Sequence, residues 1–319
     1  MKQRVPFLPA QSSSAPPCRP AVLLACLASC LILSPAAGQQ PAIDATSGVE
    51  APHAPGRPHA ARSLPDRIIL TPGADPAREM GIAWRTDTAQ ETAVLELAPA
   101  AAAPNFGRRA RALSGTSVRA RTENGEAVHH RLALSGLEPD TAYAYRVKGS
   151  QGWSEWHQFR TAAAEPRPFR FLYFGDTQND ILAIGSLAWR RAYLMAGDPA
   201  LALHAGDLVS SRADMVHDDE WGEWAAAGSW VLASVPQLVA PGNHEYVDAM
   251  AADGSETRRL GAQWQLHFAL PANGAPGAEA TTYAVDYQGV RFIVLDGTSA
   301  LDLGTLESQT AWLEAQLQR

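Results

Sequence analysis

The chain has 319 residues, 46 % of them hydrophobic, and a formal net charge of −7. That length and composition support a sizeable buried core and roughly two domains of about 100–200 residues each. The acidic balance excludes a general nucleic-acid binder, which needs a basic face, while leaving room for a nucleotide in a local pocket.

Lys2, Arg4 and Arg19 precede a 13-residue apolar run at 21–33. The run fits the ~7–15 residues of a signal core and falls short of the ~20 that a membrane span needs. With the small residues AAG at 36–38 as a cleavage site, residues 1–38 read as a signal peptide. The protein is expected to be exported, periplasmic or extracellular, with no transmembrane segment. Lipoprotein anchoring through LASC at 27–30 is the alternative, and the apolar LIL directly after Cys30 argues against it. Cys18, Cys26 and Cys30 all precede the cleavage site. A mature chain without thiolates must build any metal site from Asp, Asn, Gln, Glu, His or Tyr. Residues 39–65, rich in Pro, Ala and Gly and without periodicity, read as a linker.

Residues 66–163 give short alternating segments: RIIL, MGIAWRT, TAVLEL, HHRLALSGL, AYAYRVK and EWHQFRT. Their spacing predicts a β-sandwich. Leu137, Pro139 and Tyr143 in LEPDTAYAYRV have the pattern of a tyrosine corner, and the segment resembles a fibronectin type III-like domain. His129 and His130 are neighbours on a strand and should point to opposite faces. Trp153 and Trp156 read either as a sugar-binding pair or, preferably, as packing against the following domain.

The pattern changes at residue 168. A strand FRFLYF leads to a helix from Ile181 to Ala196 that stops at Gly197. The strand ALALHA, a Trp-bearing helical region and the strand PQLVA follow. TTYAVDY and VRFIVLD flank Gln288-Gly289 as a hairpin. A last helix puts Leu306, Leu313 and Leu317 near one face. Strands alternating with helices predict an α/β layered fold, a mixed sheet with flanking helices, over 168–319.

Three apolar strands end in polar clusters: Asp176 and Gln178 in GDTQ, Asp207 in GDLV, and Asn243 and His244 in GNHE. In open α/β sheets, ligands sit at the carboxyl ends of the strands. Two carboxylates and two amide oxygens form a hard-oxygen set suited to divalent cations. Two cations about 3.5–4 Å apart clamp a phosphate and acidify a bound water. A neighbouring imidazole can contact the phosphoryl group or protonate the leaving oxygen.

These three blocks resemble the first signature blocks of the calcineurin-like metallophosphoesterases, and the preceding sandwich resembles the N-terminal domain of the purple acid phosphatase branch. The resemblance implies a phosphoesterase with two divalent ions (manganese, zinc or iron) and a bridging hydroxide as nucleophile. By the same resemblance, Asp176 and Gln178 ligate the first metal, Asp207 bridges, Asn243 ligates the second and His244 contacts the phosphate. The partner implied is a small phosphate ester, and the sandwich is expected to pack on the phosphoesterase domain. Ser210 stands where purple phosphatases have tyrosine, and Gln178 where many relatives have histidine. The family's later histidine-bearing blocks are not found, so the chain reads as C-terminally truncated. The alternative is a catalytically inactive relative acting as an exported binding protein through its sandwich. Among the remaining polar residues, His204 reads as a buried packed imidazole. His217, in HDDE, reads as part of a solvated loop, and His267 as structural. Asp296 reads as a capping or supporting group, and Glu245 as a support for His244 or a partner of local backbone.

Overall fold

The computed structural model describes residues 56–319. The signal-peptide reading and most of the linker lie outside the described residues. Among those residues, no helix is long and apolar enough to cross a membrane.

The first half is strand apart from a 3-10 turn over Phe106–Arg109. β1 (Asp66–Pro72), β2 (Met80–Thr86), β3 (Val94–Pro99), β4 (Arg111–Ser114), β5 (Thr116–Thr122), β6 (Gly125–Leu134), β7 (Ala142–Val147) and β8 (His157–Arg160) form two four-stranded sheets, ordered β1-β2-β6-β5 and β4-β3-β7-β8. Every pairing is antiparallel. Leu70, Ile82, Trp84, Leu95, Leu97, Tyr145 and their neighbours fill the space between the sheets. The tyrosine corner is present: the Glu138 N–H donates to the Tyr143 hydroxyl at 2.9 Å. The contacts of Trp153 and Trp156 lie inside the sandwich. Their rings flank the Arg146 guanidinium at 4.7 and 4.6 Å, and Trp156 meets Phe106 edge-on at 4.9 Å. A stacked guanidinium occupies the faces that a sugar or a neighbouring domain would need.

The second half begins with β9 (Phe171–Phe174), followed by a π-helical turn over Ile181–Gly185 and α1 (Ser186–Ala196). The helix expected in one piece therefore has two parts. β10 (Leu201–Ala205), α2 (Asp218–Ser234) and β11 (Gln237–Ala240) complete two strand–helix–strand units. The sheet is parallel, ordered β11-β10-β9, with β10 in the middle. β12 (Tyr246–Met250) pairs with β13 (Glu256–Leu260), ahead of α3 (Ala262–His267). β14 (Tyr283–Tyr287) and β15 (Val290–Val294) form a separate hairpin. Its turn residues Gln288 and Gly289 both have positive φ, 48° and 88°, as a two-residue hairpin with the right twist requires. α4 (Gly297–Asp302) and α5 (Leu306–Leu317) close the described chain. On α5 the buried residues are Gln309 and Gln316, while Leu306 and Leu317 are exposed. The Gln309 amide accepts from Asp296 N and donates to Asp296 O, which docks the helix by its polar side.

The two halves share cores. Ile69 of β1 packs with Trp189, Trp224, Val231 and Phe268, and Ala77 and Ala162 pack with Leu201, Leu238 and Tyr283. Tyr145 donates to Ala233 O at 2.7 Å, and Thr71 to Ala269 O at 2.7 Å.

A charged hub sits in the same seam. Asp218 is fully buried, and its carboxylate meets Arg67 Nη1 (2.5 Å) and Nη2 (2.9 Å), Arg85 Nη1 (3.3 Å), Asn124 Nδ2 (3.1 Å) and Gln263 Nε2 (3.0 Å). The acidic run at 217–220, expected as a solvated loop, is therefore the anchored start of α2. Burial alone would raise the Asp218 pKa. The charges of Arg67 and Arg85, with the hydrogen bonds of Arg67, outweigh it and hold the carboxyl below its ordinary range.

Candidate active site

The parallel register puts Phe174, His204 and Val239 side by side. Asp176, Asp207 and Asn243 follow these residues by two to four positions. They leave the same carboxyl edge of adjacent strands, which run about 4.8 Å apart. Asp207 follows the middle strand. Both aspartates have left-handed backbones, φ 52° at Asp176 and 53° at Asp207, a conformation that aspartate tolerates better than most residues. The Asp176 N–H donates to Gly206 O at 3.2 Å and ties the first turn to the second.

The second and third turns touch through two glycines. A Cβ on Gly206, whose φ is +88°, would stand 2.6 Å from Gly242 N; a Cβ on Gly242 would stand 2.1 Å from Asp207 Oδ1. No side chain fits at either place, so the backbone itself forms the floor under Asp207. The His244 N–H then donates to Asp207 Oδ1 at 3.0 Å. The His244 ring bonds the Ser210 carbonyl through Nδ1. A carbonyl only accepts, so Nδ1 carries the proton and Nε2 is the nitrogen left for a ligand. Asn243 is half-buried, at the start of the helical turn over Asn243–Glu245.

Glu245 organises this edge more than its sequence position suggests. It is 3 % exposed, and its carboxylate accepts from Gly242 N (2.6 Å), Asp207 N (3.0 Å) and Leu208 N (2.7 Å). Burial pushes its pKa up to about 7, against the lowering effect of those amide donors. The bond to Gly242 was readable as a capping position three residues after a helix start. The reach to Asp207 and Leu208, across 37–38 residues, had no local signal.

Gln178 Oε1 is buried and has no hydrogen-bond partner. A buried orphan acceptor is costly unless a ligand satisfies it. The Asp176 and Asp207 carboxylates and the Asn243 amide are the other oxygen donors on these three turns, and hard oxygens of this kind could hold a divalent cation. Among the described residues, no three His, Cys, Asp or Glu side chains converge as a metal group. A set of two carboxylates and two amides does not depend on such a group.

The other polar residues have structural partners. His204 is buried, bonds Gln237 Oε1 at 2.9 Å, and is held by burial at a pKa of about 4. Asp296 caps α4 through Ser299 N (2.9 Å) and accepts from the Tyr246 hydroxyl (2.5 Å). His267 donates from Nδ1 to Gln263 O at 2.8 Å and meets Arg67 Nη1 with Nε2 at 3.2 Å.

Residues 65–161 match the family described as purple acid phosphatase, N-terminal domain. Purple acid phosphatase 23 of Arabidopsis thaliana is 25 % identical over 214 residues, covering 60 % of this chain and 45 % of the relative. Acid phosphatase type 7 of Mus musculus is 28 % identical over 198 residues, covering 60 % of this chain and 40 % of the relative. The chain thus spans less than half the length of these curated relatives. A solved structure described as "Structure of PhoD" aligns with a TM-score of 0.50 at 15 % identity, over 77 % of this chain and 53 % of the other, a likeness of fold.

Proposed function

From the premise that this chain is a purple acid phosphatase-like relative of the metallophosphoesterases, we propose that it hydrolyses phosphate esters at the carboxyl ends of β9, β10 and β11. The observation that carries the reading is the position of Asp207. It follows the middle strand, between the Asp176 turn and the Asn243–His244 turn, and is locked to the latter by the Gly206–Gly242 contact.

In this reading, residues 66–163 form the supporting sandwich and residues 168–319 carry the chemistry. The apolar run at 21–33 supports export. Asp176, Gln178, Asp207 and Asn243 would hold two divalent cations, with Asp207 shared between them. When bound, the cations would neutralise the phosphate and lower the pKa of the attacking water. An oxygen and nitrogen set without thiolate favours manganese, zinc or ferrous iron with little discrimination among them. His244 donates its Nδ1 proton to Ser210 O and leaves Nε2 free to face the phosphate, where as imidazolium, with a second proton on Nε2, it would donate to a phosphoryl oxygen. As imidazolium it can protonate the leaving oxygen. Glu245 holds the Asp207 and Gly242 amides together, so the ligand-bearing turns keep their spacing.

The test combines metal titration with p-nitrophenyl phosphate hydrolysis in wild type, Asp207→Asn and His244→Ala. Asp207→Asn should lose metal and hydrolysis together. His244→Ala should keep the metal and lose about 10²–10⁴-fold in turnover, the size of a lost acid. Equal metal loss in both variants would overturn the separate roles.

A further inference from the structure

The run Asp218-Asp219-Glu220 opens α2 and reaches in two directions: Asp218 and Asp219 meet the turn between β5 and β6, and Glu220 meets the 210–211 loop. Asp218 takes Asn124 Nδ2 from the two-residue turn between β5 and β6, at 3.1 Å. The Asp219 N–H donates to Glu123 Oε1 of the same turn at 3.2 Å, and the Glu123 N–H donates to Met215 O at 3.2 Å. Glu220 reaches the other way. Its Oε2 accepts from Ser210 N and Ser211 N, both at 2.8 Å, and its Oε1 accepts from Ser211 Oγ at 2.6 Å. The Ser210 carbonyl is the group that fixes the His244 ring.

We propose that this helical turn is a positioning element: Glu220 sets the tautomer and orientation of His244 by holding the 210–211 loop, and the sandwich turn Glu123–Asn124 holds Glu220's turn in place. The catalytic consequence rests on the reading of His244 as the phosphate contact. The positioning itself does not. Without Glu220 the two serine amides have no shared acceptor, and the loop is free to move the Ser210 carbonyl away from Nδ1. The imidazole then exchanges into its other tautomer, with the proton on Nε2, and presents a donor where an acceptor stood. Misplacing a catalytic group by about 1 Å can cost on the order of 10²-fold in rate.

The readout is the ¹⁵N shift pattern of the His244 ring in metal-free protein, above the ordinary imidazole pKa, assigned by comparison with His244→Ala. Wild type should show the Nδ1–H tautomer. Glu220→Ala should shift it toward Nε2–H, Asn124→Ala should do so in part, and Glu220→Gln, which keeps an acceptor for the two amides, should restore the wild-type pattern. In kinetics, Glu220→Ala should lower kcat about 10–10²-fold with KM nearly unchanged. It should cost nothing further in a His244→Ala background, since it acts through that ring. If Glu220→Ala does not fold, Asn124→Ala gives the same comparison. A His244 pattern that stays Nδ1–H in Glu220→Ala, or in Asn124→Ala where that variant stands in, overturns the proposal whatever the turnover. If His244→Ala leaves turnover unchanged, the phosphate-contact reading fails instead, while the tautomer comparison still decides the positioning.

Discussion

Asp207 and Asp218 are both buried aspartates, at 9 % and 0 % exposure, and they differ in what surrounds the carboxylate. Asp218 is saturated by two arginines, an asparagine and a glutamine drawn from four other elements. A carboxylate offers about four lone-pair sites, so nothing is left for a ligand. Asp207 accepts from the His244 amide, and the orphan oxygen of Gln178 lies on the adjoining turn. The Asp218 carboxylate is saturated, although Arg67 Nε and Gln263 Oε1 in the same seam have no partner; the Asp207 carboxylate at the strand edge accepts one bond, from the His244 amide. Satisfaction of the carboxylate, more than its burial or charge, separates the group that holds the fold from the group proposed to take a ligand.

The largest effect should follow from removing the saturated carboxylate. Asp218→Asn removes the charge that balances Arg67, whose side chain is 3 % exposed, while Arg85 keeps its pair with Asp66 at 2.7 Å. Uncompensated buried charge costs about 3–5 kcal/mol. Urea unfolding should show a loss of that size, with the metal affinity of the strand edge retained if the protein is kept folded. A loss under about 1 kcal/mol would mean that the hub is solvated and the contrast false.

Acid should attack the same seam next. Burial, then Arg67, holds His267 at a pKa of about 3. Burial, then His267 and the two arginines, holds His129 well below its ordinary value. Their rings meet edge-to-face at 5.6 Å. These groups are neutral when folded, while the unfolded chain takes up protons below the ordinary imidazole pKa of about 6.5. Stability is therefore full above that pH. It falls as pH drops toward the folded values, by up to about 1.4 kcal/mol per histidine per pH unit. Asp218, whose folded pKa is depressed, adds its own loss only below its ordinary carboxylate range. Unfolding measured from neutral to acid pH should show the decline beginning near the imidazole range, and His267→Gln should flatten its first part. A decline that begins only in the carboxylate range would remove the histidines from the account.

Substitution at the strand edge should reverse the balance. Asp207→Asn keeps an oxygen for the His244 amide, so the metal-free protein should change by no more than about 1 kcal/mol. Metal binding should be lost, as titration would show.

What the sequence revealed and what it hid divide along the same line. Local chemistry was legible: the Gln288-Gly289 turn, the Tyr143 corner, and the glycines that let Asp207 and Asn243 leave apolar strands at one edge. The hub was not, because Arg67, Asn124 and Gln263 lie 151, 94 and 45 residues from Asp218. A run such as HDDE has no pattern of its own that tells a solvated turn from a buried anchor. The reach of Glu245 to the Asp207 and Leu208 amides was hidden for the same reason. α5 was misread differently. Its leucines share a face, but the Gln309 amide finds more partners around Asp296 than a shallow apolar contact could offset, and Leu306 and Leu317 are left outside.

The smallest effect is also the most discriminating. Gln178 carries a buried oxygen without a donor, and in metal-free protein that oxygen is a net cost of about 1–3 kcal/mol. Gln178→Leu removes the unsatisfied acceptor and keeps most of the volume. The metal-free protein should therefore be as stable as wild type or more stable by up to about 1 kcal/mol, a rise of roughly 2–4 °C in Tm for a chain of this size. Divalent cations should bind the variant more weakly and raise its Tm less than they raise that of wild type. The two measurements pull in opposite directions only if Gln178 is held strained for a ligand, as sites that give up stability for function tend to be. If Gln178→Leu instead loses stability while the cation-induced shift in Tm is unchanged, the orphan oxygen is a packing detail, and the unsatisfied edge reduces to Asp176, Asp207 and Asn243.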